Sequence, residues 1–292
     1  MGKEVSSDEG RISHTQNTPV LVAVAYCLLH CSFTVLAEDH GGAWWWMGGR
    51  KPVPGKWKMK WINPCGLKHK YMYQSIWYED SYRPTGEQWR TMLHVTQMWL
   101  GKAKQSFEEF RERYVQETFQ VNFFQHNREW ANHDYEWLPK LPKKLGEKTP
   151  KEHLKTLYLD RWAGQCTYWL QIVDVALEQV LWDWHLEADQ GHPKYKEAFE
   201  DIWDTNNLVL CDVWNYVRYL GLQPMPDVGR EVMPNEFRDI QDETTRNIRD
   251  WIIFRCYMNI LEYMYDVLNY CEENAMLSEE EIVVRLMVVA EE

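Results

Sequence analysis

Several common sequence signatures are missing from this chain of 292 residues, and each absence narrows the class of protein. Glycine and proline are few, at 15 and 12 residues, which excludes collagen-like and low-complexity chains. The motifs G-x-S-x-G, G-x-G-x-x-G, H-E-x-x-H and the P-loop do not occur, and neither does an Asn-x-Ser/Thr glycosylation sequon. No residue is therefore assigned to catalysis, to a cofactor or to a metal by motif, and we expect neither an enzyme nor a bound cofactor.

Bulky aromatic residues are what the chain has in excess. They make up 14% of the residues, including 17 Trp, and hydrophobic residues of all kinds make up 45%. This composition excludes a disordered chain, because such side chains bury enough apolar surface to offset the lost chain entropy. The length suffices for one large domain or two small ones. A net charge of -12 argues against a nucleic-acid partner.

The N-terminal part of the chain predicts the compartment. Residues 19–37 contain no Asp, Glu, Lys or Arg, and their apolar centre, residues 20–29, has the length of a signal-peptide core. The small or compact residues that end at Ala37 predict cleavage after Ala37, so residues 1–37 are interpreted as a signal peptide with a long charged leader. The mature chain is then secreted. Two alternatives are an N-terminal membrane anchor, for which the segment is barely long enough, and a buried cytosolic helix.

The interpretation of residues 1–37 as a signal peptide determines which cysteines can form disulfides. Cys27 and Cys31 leave with the signal peptide, and five cysteines remain. An oxidising compartment favours pairing, so five cysteines allow at most two bridges and leave one thiol over. No C-x-x-C occurs, which argues against a thioredoxin-type site or a zinc ribbon. The candidate disulfide cysteines are Cys65, Cys166, Cys211, Cys256 and Cys271, of which the last four lie in aromatic helical stretches.

Residues 38–84 are predicted to form a basic, tryptophan-rich, extended arm. No acidic residue occurs from His40 to Tyr78, although that stretch contains seven Lys or Arg and six Trp. The strict alternation of residues 56–61 places the apolar side chains on one face of an extended chain and the lysines on the other. The candidate partner-binding residues of the arm are Trp44, Trp45, Trp46, Arg50, Lys51, Lys56, Trp57, Lys58, Lys60 and Trp61.

Three interpretations of the arm stay open at this point. As a strap, it packs Trp57, Met59 and Trp61 across the helical body, its lysines meet the acidic surface, and Cys65 staples it down at a turn. As an exposed arm, it contacts an acidic partner or a membrane surface. As a precursor, it is cleaved at the dibasic pair in residues 48–51, although the proline that follows hinders cleavage there.

The acidic remainder, residues 85–292, predicts an all-α domain. Apolar residues recur at three- and four-residue steps, which is the pattern of amphipathic helices with one buried face. The pattern predicts a bundle of four long helices plus a short C-terminal helix after Ser278, with the arm packed across it. The four helices are expected over residues 85–133 with a bend near 118–125, from the Thr149 cap to about Ala188, over 193–220 and over 235–273. The stretch from Trp251 to Cys271 is apolar nearly all round and is expected to be the most buried.

One spacing resembles a metal site. His185, Asp189 and His192 stand at i, i+4 and i+7, which would place them on one face of a continuous helix. Gly191 and Pro193 break the helix at that point. The three residues are therefore predicted to be a surface cluster rather than a metal site.

Together these features favour a secreted helical-bundle signalling or binding protein that acts through surface contacts with a protein partner or cell-surface receptor. The architecture is similar to that of helical cytokines and hormones, a resemblance of pattern that no single residue carries. One alternative is an extracellular carrier of an apolar small molecule in a Trp-lined cavity between helices. Others are a secreted enzyme whose site leaves no linear motif, and a matrix component. If the signal peptide is cleaved, the protein is not an integral membrane protein.

Overall fold

The computed structural model describes Val53 and residues 59–66, 86–188, 194–219 and 225–273. Most of these residues are helical and none of them lies in a β-strand, so the predicted all-α class is confirmed for this part of the chain. The predicted signal peptide, most of the arm and the predicted helix after Ser278 lie outside the described residues.

Seven α-helices and two short 3-10 turns make up the described structure. The helices are α1 (Gly86–Phe119), α2 (Phe123–Trp130), α3 (Lys151–Lys155), α4 (Leu159–Ala188), α5 (Lys196–Tyr219), α6 (Asn235–Arg238) and α7 (Glu243–Glu273). The 3-10 turns are Lys60–Ile62 and Arg230–Val232.

The four long helices pack on one another in a closed order. Both α4 and α1 pack against the same two neighbours, α5 and α7. The 3-10 turn at residues 60–62 packs against α4 and α5. Because each long helix has two long neighbours, the apolar stripes predicted from the sequence converge on a shared core.

Aromatic rings fill the centre of that core. The stripe predicted on α1 is buried from Ala103 to Tyr114 at the expected positions. Its Phe110 meets Phe199 of α5 at 5.5 Å and Phe254 of α7 at 5.2 Å between ring centroids, each edge to face. Edge-to-face pairs at these distances add to the stabilisation from burial alone.

The first predicted helix bends where the sequence indicates. Helix α1 ends at Phe119, and Gln120 has a φ of 57°, in the left-handed region. Asn122 then caps α2, because its side chain accepts a hydrogen bond of 2.9 Å from the backbone N–H of Gln125. The predicted bend near residues 118–125 is therefore confirmed.

Two other predicted helices are each divided in the structure. The helix expected from Thr149 is divided at residues 156–158, where the Thr156 hydroxyl donates to the His153 carbonyl at 2.9 Å. Thr149 is not its cap, because its N–H and hydroxyl both donate to Asp266 of α7, at 2.9 and 2.7 Å. A tertiary contact thus overrides the local capping pattern.

The helix expected over residues 235–273 is likewise divided, at residues 239–242. Asp242 begins the long part of this helix by accepting the N–H and hydroxyl of Thr245, at 2.7 and 2.6 Å.

Helix α7 is buried on nearly all sides, as its composition predicts. Trp251, Phe254, Tyr257 and Met264 have no exposed surface. Helix α4 is equally enclosed in its middle, where every residue from 170 to 184 is buried. This burial includes several charged side chains of α4, which the apolar pattern does not anticipate.

Candidate functional site

The predicted arm, residues 38–84, is bonded covalently to the helical body at an internal position. Cys65 forms a disulfide with Cys211 of α5, with 5.0 Å between their Cα atoms and a sequence separation of 146. The chain turns at this point, since the Gly66 N–H donates to the Asn63 carbonyl at 3.0 Å and Gly66 has a φ of 62°. The sequence predicted that Cys65 pairs at a turn, but it did not identify the partner.

Trp61 anchors the same part of the arm in the core. Its ring has no exposed surface, and its indole Nε1 donates to the Val228 carbonyl at 2.7 Å. Gln171 of α4 joins the two segments, because its amide donates to the Trp61 carbonyl at 3.1 Å and accepts from the Val228 N–H at 3.1 Å. The anchor therefore connects the arm, α4 and the loop before α6.

The backbone at the anchor differs from the expected extended chain. Residues 60–62 form a 3-10 turn, so Met59 and Trp61 do not share a face. Met59 is 38% exposed, whereas Trp61 is wholly buried. Of the candidate arm residues, Lys60 and Trp61 are described, and Trp44, Trp45, Trp46, Arg50, Lys51, Lys56, Trp57 and Lys58 lie outside the described residues.

Lys60 reaches the outer side of α5. Its Nζ lies 3.2 Å from a carboxylate oxygen of Asp204 and 4.3 Å from the ring centroid of Trp203. Both ends of the ion pair are about half exposed to solvent. An ion pair this exposed contributes little to the stability of the fold.

The outer side of α5 presents a row of carboxylates. Glu197, Glu200, Asp201 and Asp204 are all exposed and stand at i, i+3, i+4 and i+7, so they share one face of the helix. We call these four residues the α5 face. The opposite side of the helix carries Phe199, which is in the core.

A polar cleft adjoins the N-terminal end of the α5 face. Its charged lining consists of Arg113, Glu117, Lys194, Glu197 and Asp201, together with the side chain of Tyr195. The Tyr195 hydroxyl donates to Glu117 at 2.9 Å, and Lys194 lies 3.0 Å from the same carboxylate. These two contacts, that of Lys194 first, hold the pKa of Glu117 below its ordinary value. With three acidic and two basic groups, the cleft suits a cationic side chain from outside.

Three of the candidate disulfide cysteines form no disulfide in the described structure. Cys166, Cys256 and Cys271 are buried thiols. Cys256 and Cys271 lie fifteen residues apart on the continuous helix α7, about 22 Å along its axis, and cannot reach each other. Burial raises the pKa of Cys256 to about 12 and that of Cys166 well above its ordinary value. The prediction that these three cysteines are candidates for disulfides is therefore wrong for the described structure, in which they are buried thiols of the core.

Of the three residues with metal-like spacing at the end of α4, the structure describes only His185. His185 stacks on the ring of Trp182, with 5.7 Å between centroids. Asp189 and His192 lie outside the described residues. Within the described ranges, no group of three or more His, Cys, Asp or Glu side chains is arranged to hold a metal ion.

Buried charged groups are the feature that the sequence argument missed. Arg249 of α7 lies between Asp183 and Asp250, at 2.8 and 2.5 Å, and all three are buried. Asp174 of α4 is a further buried carboxylate that contacts Asn206. These residues could have been found in the sequence as charged residues inside strongly apolar helical stretches. A charge buried in such a stretch requires a specific partner.

The comparisons with known proteins identify no relative. No protein-family model, no curated protein and no solved structure matches the chain. Among the helices that the structure describes, none is both long enough and apolar enough to span a membrane.

Proposed function

We propose that the chain is a secreted helical-bundle protein that acts by binding a protein partner through its surface. In this proposal α1, α4, α5 and α7 form a four-helix bundle, and the arm is laid over it from the anchor at Trp61 and Cys65. The described part of the molecule contributes the α5 face and the adjoining cleft to the contact surface.

The disulfide between Cys65 and Cys211 is the observation that carries the proposal. Disulfides of this kind persist outside the cytosol, which agrees with a cleaved signal peptide after residue 37. The bond also attaches the basic arm to α5, the helix that exposes a row of carboxylates. A rigid helix face with a covalently attached neighbouring segment is a pre-organised surface, and pre-organisation reduces the entropic cost of binding.

Charge indicates the chemistry of the partner. The α5 face carries four carboxylates, and the cleft beside it contains one more acidic than basic group. A partner that presents lysine or arginine side chains is complementary to this surface, and such complementarity raises the association rate and selects among partners. We therefore expect a cell-surface protein with a basic contact patch.

Secretion is tested first. The full-length chain is expressed in animal cells, and the intact mass of the protein in the medium is measured with and without reduction. We expect a species that begins at Glu38 and gains two mass units on reduction, because one disulfide opens. Protein retained in the cells, or secreted with its first 37 residues, contradicts the proposal.

Binding is tested with the secreted protein carrying a proximity-labelling group on intact cells. We expect wild type to enrich one cell-surface protein, and the double variant Glu197→Lys, Glu200→Lys to reduce that enrichment at least tenfold. The matched control is Glu236→Lys, a charge reversal at an exposed residue of α6, which should label like wild type. Enrichment of no surface protein by wild type, or equal labelling by all three proteins, contradicts the proposed surface.

A further inference from the structure

One buried carboxylate oxygen lies between helices without a donor. Asp174 of α4 has no exposed surface. Its Oδ1 accepts from Asn206 Nδ2 of α5 at 2.7 Å and has a longer contact of 3.5 Å with Asn207 Nδ2. Its Oδ2 has no hydrogen-bond partner among the described residues. Leaving a buried polar atom unsatisfied costs free energy, so this oxygen needs a partner.

In the described structure, Asn206 and Asn207 have no free N–H donor for Asp174 Oδ2, and each adds an unsatisfied acceptor oxygen. Asn206 Nδ2 also donates to the Leu170 carbonyl at 3.1 Å, and Asn207 Nδ2 to the Trp203 carbonyl at 2.9 Å. An amide nitrogen has two hydrogens, so both are occupied in each residue. The Oδ1 atoms of Asn206 and Asn207 are buried and have no partner in the described part of the chain.

A third helix carries a buried hydroxyl group that also lacks a partner in the described part of the molecule. Tyr257 of α7 is wholly buried, and its hydroxyl also has no hydrogen-bond partner within the described ranges. Burial raises the pKa of Tyr257 well above its ordinary value, and the charge of Asp174 raises it further. The amides of Asn206 and Asn207 therefore lie beside Asp174, and the Tyr257 hydroxyl is close enough for the charge of Asp174 to act on it.

The charge around Asp174 is not balanced by the nearby cation. Lys60 stabilises the ionised carboxylate, but this lysine pairs with Asp204 at 3.2 Å and is half exposed. The negative charges of Glu178 and Asp204 act on Asp174 in the opposite sense. Burial is the largest influence and raises the pKa of Asp174 well above its ordinary value. A positive charge inside the cluster would satisfy both the charge and the acceptors.

We propose that Asp174, Asn206 and Asn207, with the hydroxyl of Tyr257, bind a monovalent alkali-metal cation, Na⁺ or K⁺, in the core. Carboxylate, amide and hydroxyl oxygens are ligands that hard cations prefer. One carboxylate neutralises one positive charge, which favours a monovalent over a divalent ion. A proton on Asp174 Oδ2 can donate to only one acceptor, whereas one cation can be bound by several oxygens at once. The site is structural and does not depend on the proposed binding function.

The first experiment measures cation-dependent stability. Secreted wild-type protein is transferred into choline chloride, and its thermal midpoint is measured after exchange into NaCl, KCl or choline chloride at equal ionic strength. We expect Na⁺ or K⁺ to raise the midpoint. Above the dissociation constant, each tenfold rise in the free cation should multiply the folding equilibrium constant by about ten. Equal midpoints in the three salts overturn the proposal.

Variants separate the site from general salt effects. Asp174→Asn keeps the shape and removes the charge, so the cation dependence should disappear. Asp201→Asn makes the same change at an exposed position of α5 and should keep the wild-type dependence. A variant at Asp174 that folds and still responds to the cation overturns the proposal.

A direct measurement covers the case in which Asp174→Asn fails to fold. Crystals of wild type grown with Rb⁺ should show an anomalous peak within coordination distance of Asp174 Oδ2 and both amide oxygens. The absence of a peak there, together with wild-type stability that is insensitive to cations and falls as the pH rises, would show a protonated Asp174 instead.

Discussion

The guanidinium of Arg249 meets the carboxylate of Asp183 inside the helical core, with 2.8 Å between Nη2 and Oδ2 and with 0% and 3% of the side chains exposed. Arg249 also pairs with Asp250 at 2.5 Å, and Asp250 accepts from the Trp184 indole at 3.2 Å. Burial alone lowers the pKa of Arg249, but the two carboxylates outweigh it and the pKa rises. Burial raises the pKa of Asp250 to about 6, although Arg249 opposes that rise. Asp183 and Asp250 therefore share Arg249 as an ion-pair partner.

Replacing that cation should be strongly destabilising. Arg249→Met keeps much of the side-chain volume but leaves Asp183 and Asp250 without their counter-charge, so we expect a loss of about 3–5 kcal/mol in the free energy of unfolding. The measurement is urea unfolding followed by circular dichroism. Arg128→Met, at an exposed position of α2, is the control and should change stability by less than about 0.5 kcal/mol. Similar losses in the two variants would contradict a role for the buried ion pairs.

Breaking the disulfide should loosen the anchor of the arm. Cys65→Ser removes a bridge that spans 146 residues of sequence, and the loss of such a constraint on the unfolded chain costs about 2–5 kcal/mol. We also expect residues 38–64 to become sensitive to limited proteolysis. Cys211→Ser and the double variant should match Cys65→Ser, while Cys166→Ala, a buried thiol outside the bridge, should keep the wild-type digestion pattern. Unchanged proteolysis in Cys65→Ser would show that the bond does not hold the arm.

The Trp61 anchor can be divided into packing and hydrogen bonding. Trp61→Ala removes a wholly buried ring, and we expect it to cost about 3–5 kcal/mol. Trp61→Phe keeps an aromatic ring but leaves the Val228 carbonyl without its 2.7 Å donor, which should cost about 1–3 kcal/mol. Met59→Ala, two residues away and partly exposed, is the control. The prediction fails if the thermal midpoints of Trp61→Ala and Met59→Ala fall equally.

His126 should make stability depend on pH. Its ring stacks on Phe119 at 4.2 Å and lies 5.2 Å from the ring of Trp251. Burial lowers the pKa of His126 to about 4; Glu129 opposes this effect and Arg255 adds to it. In the unfolded chain the pKa is near 6.5.

As the pH falls, His126 is protonated at a higher pH in the unfolded chain than in the folded protein. The contribution of His126 to the free energy of unfolding is therefore complete above pH 6.5 and is lost as the pH falls from 6.5 to about 4. His126→Phe keeps the stacking and removes the titration. We expect the difference in unfolding free energy between pH 7 and pH 5 to be about 1 kcal/mol smaller in this variant, after allowance for screening by water. His133→Phe, at an exposed position, is the control. The same pH dependence in wild type and His126→Phe would contradict the assignment.

Periodicity predicted the parts of the fold that depend on which side of a helix is apolar. The core stripe of α1 through Phe110, the bend after Phe119 and the enclosed helix around Phe254 all follow from local spacing. The division of the helix after Thr149 does not, because Thr149 bonds to Asp266, which is 117 residues away. Local capping patterns are reliable only where no tertiary contact competes for the same side chain.

In the candidate site, too, local sequence patterns did not predict contacts between distant residues. The turn at Cys65 is visible in the local sequence, but its pairing with Cys211 is not, since five cysteines allow many pairings. The alternation around Lys60 predicted an extended chain, whereas residues 60–62 form a 3-10 turn in which the buried Trp61 indole donates to the Val228 carbonyl. The binding surface on α5 and the partner of the arm remain predictions.

The sequence by itself determined the all-α class, the helical stripes, the aromatic core and the separation of a basic arm from an acidic body, because these properties depend on composition and on spacing along one segment. Only the tertiary structure decided that Cys65 joins Cys211, that Arg249 lies between Asp183 and Asp250, and that Asp174 meets Asn206 and Asn207. Each of these relationships joins side chains of different segments. Periodicity can predict which face of a helix such a side chain occupies, but it cannot predict which side chain on another segment it contacts. Burial then determines their energies, because a charge or an unsatisfied oxygen matters most where water is excluded.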